Sequence, residues 1–355
     1  MKQILYPLFI FSFSFSCFPS VLAYKKYYDD TSNFTSSKAN LNENKISEKS
    51  VYSKWQLFKF IHDTTIISYL KLFSGHQCAV ESVAFSPDGQ SVLTGSDDKM
   101  AILWGLKGNK KITFEGHQHN ITSVAFSPDG QNVLTGSVDG TAKLWDLSGK
   151  EIRTFKGHKA PIWSVAFSPK NQSILTCSDD YTVVLWDLLC NKKMTYNLPC
   201  TTVLSVTFSP DGQSILIGCY DGTAILYDLF GNEKQIFKGH ESAVWTVAFS
   251  PDGKSILTGS DDLTVKLWDL SGKVKQTFEG HNSYIWSVTF SPDGQSILTG
   301  SEDGTAKLWD LTGKLKQTYK GHQLPVRSVA FSPDGQGILT GSEDGTAKLW
   351  TLFTK

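Results

Sequence analysis

The chain has 355 residues, 40% hydrophobic and 12% aromatic, which is ample apolar surface for a packed core and too much for a disordered chain. With 34 Lys and Arg against 34 Asp and Glu the formal net charge is zero, so no basic excess argues for nucleic acid. Length alone suggests two or more domains at roughly 150 residues each, but the chain repeats itself and that prior gives way.

In chain order, residues 1–23 read as a secretory signal: Lys2, an apolar run from Ile4 to Phe18, then Val21, Leu22 and Ala23 as a small-residue cleavage site. An uncleaved membrane anchor is the alternative, although a run of about 15 residues broken by Ser12, Ser14 and Ser16 is short for a span. A lipoprotein reading of Cys17 meets Ser14 where a Leu-like residue is wanted. Residues 24–65, rich in Lys, Asn and Ser, form a polar linker, within which Trp55 to Ile61 fits a short amphipathic helix near 54–62. Export places the protein outside the cytoplasm, with a cytoplasmic scaffold as the alternative. Five cysteines would remain after cleavage (Cys78, Cys177, Cys190, Cys200 and Cys219); an odd number, at positions where other repeats carry Gly, Ser or Gln, is no disulfide framework, although one pair, Cys200 with Cys219 beside the incomplete fourth unit, can form. Asn33, Asn120 and Asn171 head glycosylation sequons if the host is eukaryotic.

From residue 66 to 355 the chain is seven units of 41 residues in one register. Gly-His marks His76, His117, His158, His240, His281 and His322, with Leu198 and Pro199 standing in for it in the fourth unit. An aromatic keeps the same beat at Trp104, Trp145, Trp186, Tyr227, Trp268, Trp309 and Trp350. Units this small cannot bury a core alone and must stack. Each reads as four short strands: in the sixth, Trp286–Phe290, Ser296–Gly300, Thr305–Trp309 and Leu315–Tyr319, joined by Ser-Pro-Asp-Gly, Asp-Gly and Thr-Gly turns. The seventh stops after its third strand, while Ile67–Phe73 sits where a fourth strand sits in every other unit. The N-terminal strand is therefore expected to pair beside Ala347–Leu352 and leave no open edge.

Gly-His followed about 30 residues on by Trp-Asp, complete at Trp145, Trp186, Trp268 and Trp309, resembles the WD-repeat family. The resemblance implies an all-β, seven-bladed β-propeller over residues 66–355. It also implies a structural tetrad in each complete unit, uniting the His and Trp above with Thr94, Thr135, Thr176, Thr258, Thr299 and Thr340 and with Asp98, Asp139, Asp180, Asp262, Asp303 and Asp344. A catalytic group is not needed six times around one ring, so these are no triads. The fourth unit keeps only Asp221, having Ile217 and Tyr227 elsewhere, and should be the weakest blade. The glycines are turn residues, not phosphate loops, and His117 with His119 lacks partners for a metal; no cofactor is expected.

The slots the repeat leaves free to vary look, in that family, onto one face around the central channel. They carry Trp163, Trp245, Trp286, Tyr284 and Tyr220 as aromatics, and Glu81, Asp97, Asp179, Asp261, Glu302 and Glu343 against the single Arg327. Aromatics among acids suit a cationic ligand. The expected function is a non-enzymatic, monomeric platform binding a basic peptide segment of another protein. The alternatives are indoles that merely plug the channel, and an extracytoplasmic enzyme or small-ligand binder at the channel mouth. The zero net charge is a sum of unlike parts: residues 1–72 carry nine basic and five acidic groups, residues 73–355 twenty-five and twenty-nine.

Overall fold

The computed structural model describes residues 69–170, 172–198 and 202–352, all within the compact unit Ile67–Lys355. The expected signal at 1–23, the linker at 24–65, the helix near 54–62, Pro199 and Cys200 lie outside the described residues. Those described form seven four-stranded antiparallel sheets arranged as a β-propeller without helices. The first blade runs Val80–Phe85, Ser91–Ser96, Met100–Gly105 and Lys110–Glu115, and the other blades repeat it at 41-residue spacing. In the sixth blade the strands are Ile285–Phe290, Ser296–Ser301, Thr305–Asp310 and Leu315–Lys320, within a residue of the spacing-based reading.

The second strand is buried along its whole length in four blades, as at Ser91–Ser96, because the sheets stack face to face and both of its sides meet protein. The outer strand is wet, as in the burial of Lys110–Glu115, where only Phe114 is sealed. Cores form between blades, so that Phe114 of the first packs with Val133 and Trp145 of the second. Glycine is required at this interface: a Cβ on Gly95 would come within 2.5 Å of Val124 Cγ1 of the next blade.

The ring closes twice. Strand Lys71–Ser74 pairs antiparallel with Thr346–Thr351, with Phe73 opposite Ala347, so the N-terminal strand completes the seventh blade as expected. On the innermost strands a hydroxyl of each blade accepts the N–H of a valine in the next, from Ser82 with Val124 round to Ser287 with Val329. The seventh bond joins Ser328 Oγ to Val83 N at 3.1 Å, across 245 residues of sequence.

Candidate functional site

Two polar systems recur around the ring, one sealed and one open. The sealed one is the tetrad. In six blades the Trp indole N–H donates to the Thr hydroxyl at 2.8–3.0 Å. The same hydroxyl lies 2.7 Å from His Nε2. His Nδ1 meets the Asp carboxylate at 2.7–3.0 Å. An oxygen that accepts from Trp and a carboxylate that can only accept fix the chain of donors, with Thr O–H donating to Nε2 and Nδ1–H to Asp. Burial works to raise the carboxyl of Asp139, but hydrogen bonds from His117, Thr141 and the Gln118 amide win and hold it well below the usual range; Asp262, Asp303 and Asp344 behave alike. Burial also lowers His158, His281 and His322, keeping them neutral. These imidazoles are at most 2% exposed, which leaves no access for a substrate.

Spacing alone did not single out the serine two positions before each tetrad Asp. Ser96, Ser137, Ser178, Ser260, Ser301 and Ser342 donate to a carbonyl of the preceding loop and accept the N–H of the Asp. They too recur once per complete unit, which is the signal that could have found them. The fourth blade carries Cys219 there, and Cys219 is disulfide-bonded. Among the described residues of that blade, Asp221 bonds Thr223, while buried Ile217 and Tyr227 join an apolar cluster shared with the third blade.

The open system lies at the channel. In every blade the first strand is bulged one residue after its start, between Val80 and Ser82 and at the six equivalents. A bulge takes one residue out of the ladder and re-aims its side chain. The residues so displaced are Glu81, Thr122, Trp163, Leu204, Trp245, Trp286 and Arg327. The hairpin slot is fixed beside them, since the N–H of Asp97, Asp179, Tyr220, Asp261, Glu302 or Glu343 donates to the carbonyl two residues before each displaced one, at 3.0–3.1 Å. Bulge and hairpin thus form one rigid platform.

Two features of this face differ from the expectation. Tyr220 and Tyr284 are exposed, at 56% and 41%, but Trp163, Trp245 and Trp286 are half-buried with their indole N–H groups sealed from solvent. The Trp245 and Trp286 rings meet edge to face at 4.6 Å, and Tyr284 adds a third ring at 6.3 Å from Trp286; flat rings at the narrow end of a wedge pack against each other before they reach solvent. Nor do six acids stand against an idle arginine. Arg327 bonds Glu343 through Nη2, its Nε lies 3.8 Å from the Glu81 carboxylate, and its guanidinium sits 4.2 Å over the Trp286 ring.

Glu81 is pushed up to about 7 by burial, with Arg327 opposing and Asp97 and Glu343 adding to the rise. Burial raises Asp97 and Asp261 as well; Asn120 and Arg327 pull the first down, the Trp245 indole the second. Yet no hydrogen bond closes between Asp261 Oδ1 and the Trp245 N–H. Ser283 donates to Glu302 at 2.6 Å. Tyr181 and Leu263, which the sequence reading left out, also stand exposed on the hairpin, each at positive φ in the position where four blades have glycine.

Among the described residues, five buried side-chain nitrogen or oxygen atoms lack a hydrogen-bond partner: Nε1 of Trp163, Trp245 and Trp286, Oδ1 of Asp261 and Nε of Arg327. All five belong to this face. A recess of about 360 Å³ lies elsewhere, beside Asn282, Asp303, Lys307, Lys320 and Gly321 between the sixth and seventh blades, and the Asp303 carboxylate on its lining is already engaged in a tetrad. No three His, Cys, Asp or Glu side chains gather as a metal site among the described residues.

Comparison with known proteins agrees with this geometry. The family model of the first β-propeller of IFT122 matches residues 106–351, more than half of the chain, and that of the WD domain, G-beta repeat, matches residues 67–105. No curated protein matches. The chain belongs to the WD-repeat β-propeller family.

Proposed function

We propose that this protein is a non-enzymatic protein–protein interaction platform whose channel face receives a basic segment of its partner. The observation that supports the reading is the gathering of unmet polar atoms at the displaced slots. Buried polar groups in folded proteins are almost always satisfied, and each one left open marks a place for water or a ligand. With Glu81 and Glu343 taken by Arg327, the acids of this face in no ion pair among the described residues are Asp97, Asp179, Asp261 and Glu302. Asp179 shares its blade with Trp163, and Asp261 with Trp245. An indole beside a carboxylate is a suitable seat for a lysine or arginine side chain, whose carbonyl neighbours can accept the indole N–H bonds.

The test is binding of the full chain to immobilised Lys- and Arg-containing peptides and to the same peptides with Gln in place of each base. Preference for the basic set, weakened at least tenfold by Asp179→Asn with Asp261→Asn, is expected. Equal binding to both sets overturns the reading. Export through the N-terminal segment belongs to the same proposal, supported by the disulfide at Cys219, a bond that persists in oxidising compartments. Determining the mature N-terminus checks it: a chain beginning at Tyr24 is expected, and one beginning at Met1 contradicts cleavage.

A further inference from the structure

Arg327 occupies a slot that no rule of the repeat reserves for a base. The equivalent residues are Glu81, Thr122, Trp163, Leu204, Trp245 and Trp286, and the bulge that displaces them forms equally well with each. Nothing in ring closure therefore explains a guanidinium at the channel. Its surroundings come from three blades: Glu81 from the first, Trp286 from the sixth and Glu343 from its own hairpin. Trp286 is backed by Trp245, so the aromatic wall is held in place. A planar cation stacked on an indole and clasped at its edges by carboxylates is the arrangement a receptor would offer to an arginine.

The clasp holds more acid than one guanidinium can match. Asp97 stands near enough to raise Glu81, and Glu81 itself is driven up by burial with only Arg327 to offset it. The Arg327 Nε–H closes no hydrogen bond, its nearest carboxylate oxygen on Glu81 being 3.8 Å away. The side chain fills the slot without fully satisfying it.

We propose that Arg327 is a tethered ligand, whose guanidinium fills a cation slot made by Glu81, Glu343 and Trp286 and closes that slot to basic side chains of other molecules. The proposal deepens the reading of this face as one that receives bases, and places external binding at Asp179 and Asp261 for as long as Arg327 stays seated.

Removing the tether while keeping the slot tests it. In full-length Arg327→Ala, ethylguanidinium should restore what the side chain supplied. The expected results are a melting temperature several degrees below the parent, raised saturably by ethylguanidinium at about millimolar concentrations, and a saturable change in indole fluorescence. The parent should show neither, ethylammonium at the same ionic strength should act at least fivefold more weakly, and adding Glu81→Gln and Glu343→Gln should abolish the response. Arg327→Gln, which keeps the stem and so leaves room only for guanidinium itself, serves with guanidinium and ammonium as the paired probes if the alanine variant does not fold. A folded variant with no saturable response, or an equal one in the parent, overturns the tethered ligand. Because no peptide is involved, rescue by ethylguanidinium without capture of basic peptides would retain the slot and reject the proposed function; the converse would retain the function and reject the slot.

Discussion

Phe73→Ala is the most direct perturbation of ring closure. Phe73 is 2% exposed and belongs to the four-residue strand Lys71–Ser74, which completes the seventh blade from the N-terminal side. Its ring packs 5.9 Å from that of Trp104 and among Val80, Val83, Leu339 and Ala347, so it binds the seventh blade to the first. Truncating a buried phenylalanine costs roughly 3–5 kcal/mol. For a ring of this size that is a fall in Tm of roughly 6–20 °C, at about 2–4 °C per kcal/mol. Phe155→Ala is the internal control: Phe155 is 1% exposed, lies 5.7 Å from Trp186 and makes the same kind of contact inside a strand that the chain holds at both ends. Both variants should lose similar stability by denaturant titration. Hydrogen exchange should separate them, with Phe73→Ala opening strand Thr346–Thr351 and Phe155→Ala leaving it protected. A cost below about 1 kcal/mol for Phe73→Ala, with Thr346–Thr351 still slow to exchange, would refute the closure argument.

Other expectations follow from the same contacts. Thr258→Val leaves the Trp268 N–H and His240 Nε2 without their shared partner and should cost ~1–3 kcal/mol by denaturant unfolding, whereas Ile217→Thr in the fourth blade should also destabilise, because no imidazole waits there. Leu263 adopts φ of 69° in the turn where Gly304 adopts 77°, so Leu263→Gly should raise stability by about 1 kcal/mol despite removing an apolar side chain. Two pH effects of opposite sign are expected. The tetrad carboxylates Asp139, Asp262, Asp303 and Asp344 are depressed on folding, so their contribution is complete above about pH 4 and is lost as the pH falls below it. Glu81 is raised from 4.5 to about 7, so its ionisation costs stability as the pH rises from 4.5 through 7. Glu81→Gln should flatten the dependence of Tm on pH between 5 and 8 without altering the acid limb, and an unchanged slope would contradict the burial of that carboxyl.

The strands, turns and tetrads were legible because each depends on residues within one 41-residue unit and is written six or seven times. Closure was legible too, since a missing fourth strand at one end matches a spare strand at the other. What stayed hidden depends on how blades face one another. Arg327 and Glu81 lie 246 positions apart and meet only because the ring closes the seventh blade onto the first. The half-burial of Trp163, Trp245 and Trp286 arises from packing between blades, with Trp245 on Trp286, Arg327 over Trp286 and Trp163 against the apolar cluster shared with the fourth blade, which no local pattern encodes. The displaced position that aims these side chains was recognisable as variable, but the bulge itself appears only when the two strands are paired. The expected weakness of the fourth blade meets an arrangement in which Ile217 and Tyr227 replace the polar network by apolar packing and Cys219 carries a disulfide. Exchange faster than in the other six blades is expected there, and the slowest exchange of the seven would contradict it.

The central claim, that the channel face is where a basic segment docks, is open to one measurement. The chain has ten tryptophans: six in tetrads, three at displaced slots, and Trp55. Their indole N–H resonances can be followed while a Lys/Arg peptide selected from the immobilised set is added to the full-length protein. The account predicts that the resonances of Trp163, Trp245 and Trp286 move as their unmet N–H groups find acceptors, while those of Trp104, Trp145, Trp186, Trp268, Trp309 and Trp350, already bonded to threonine, stay in place. Saturable binding that leaves the three channel resonances unmoved would contradict it.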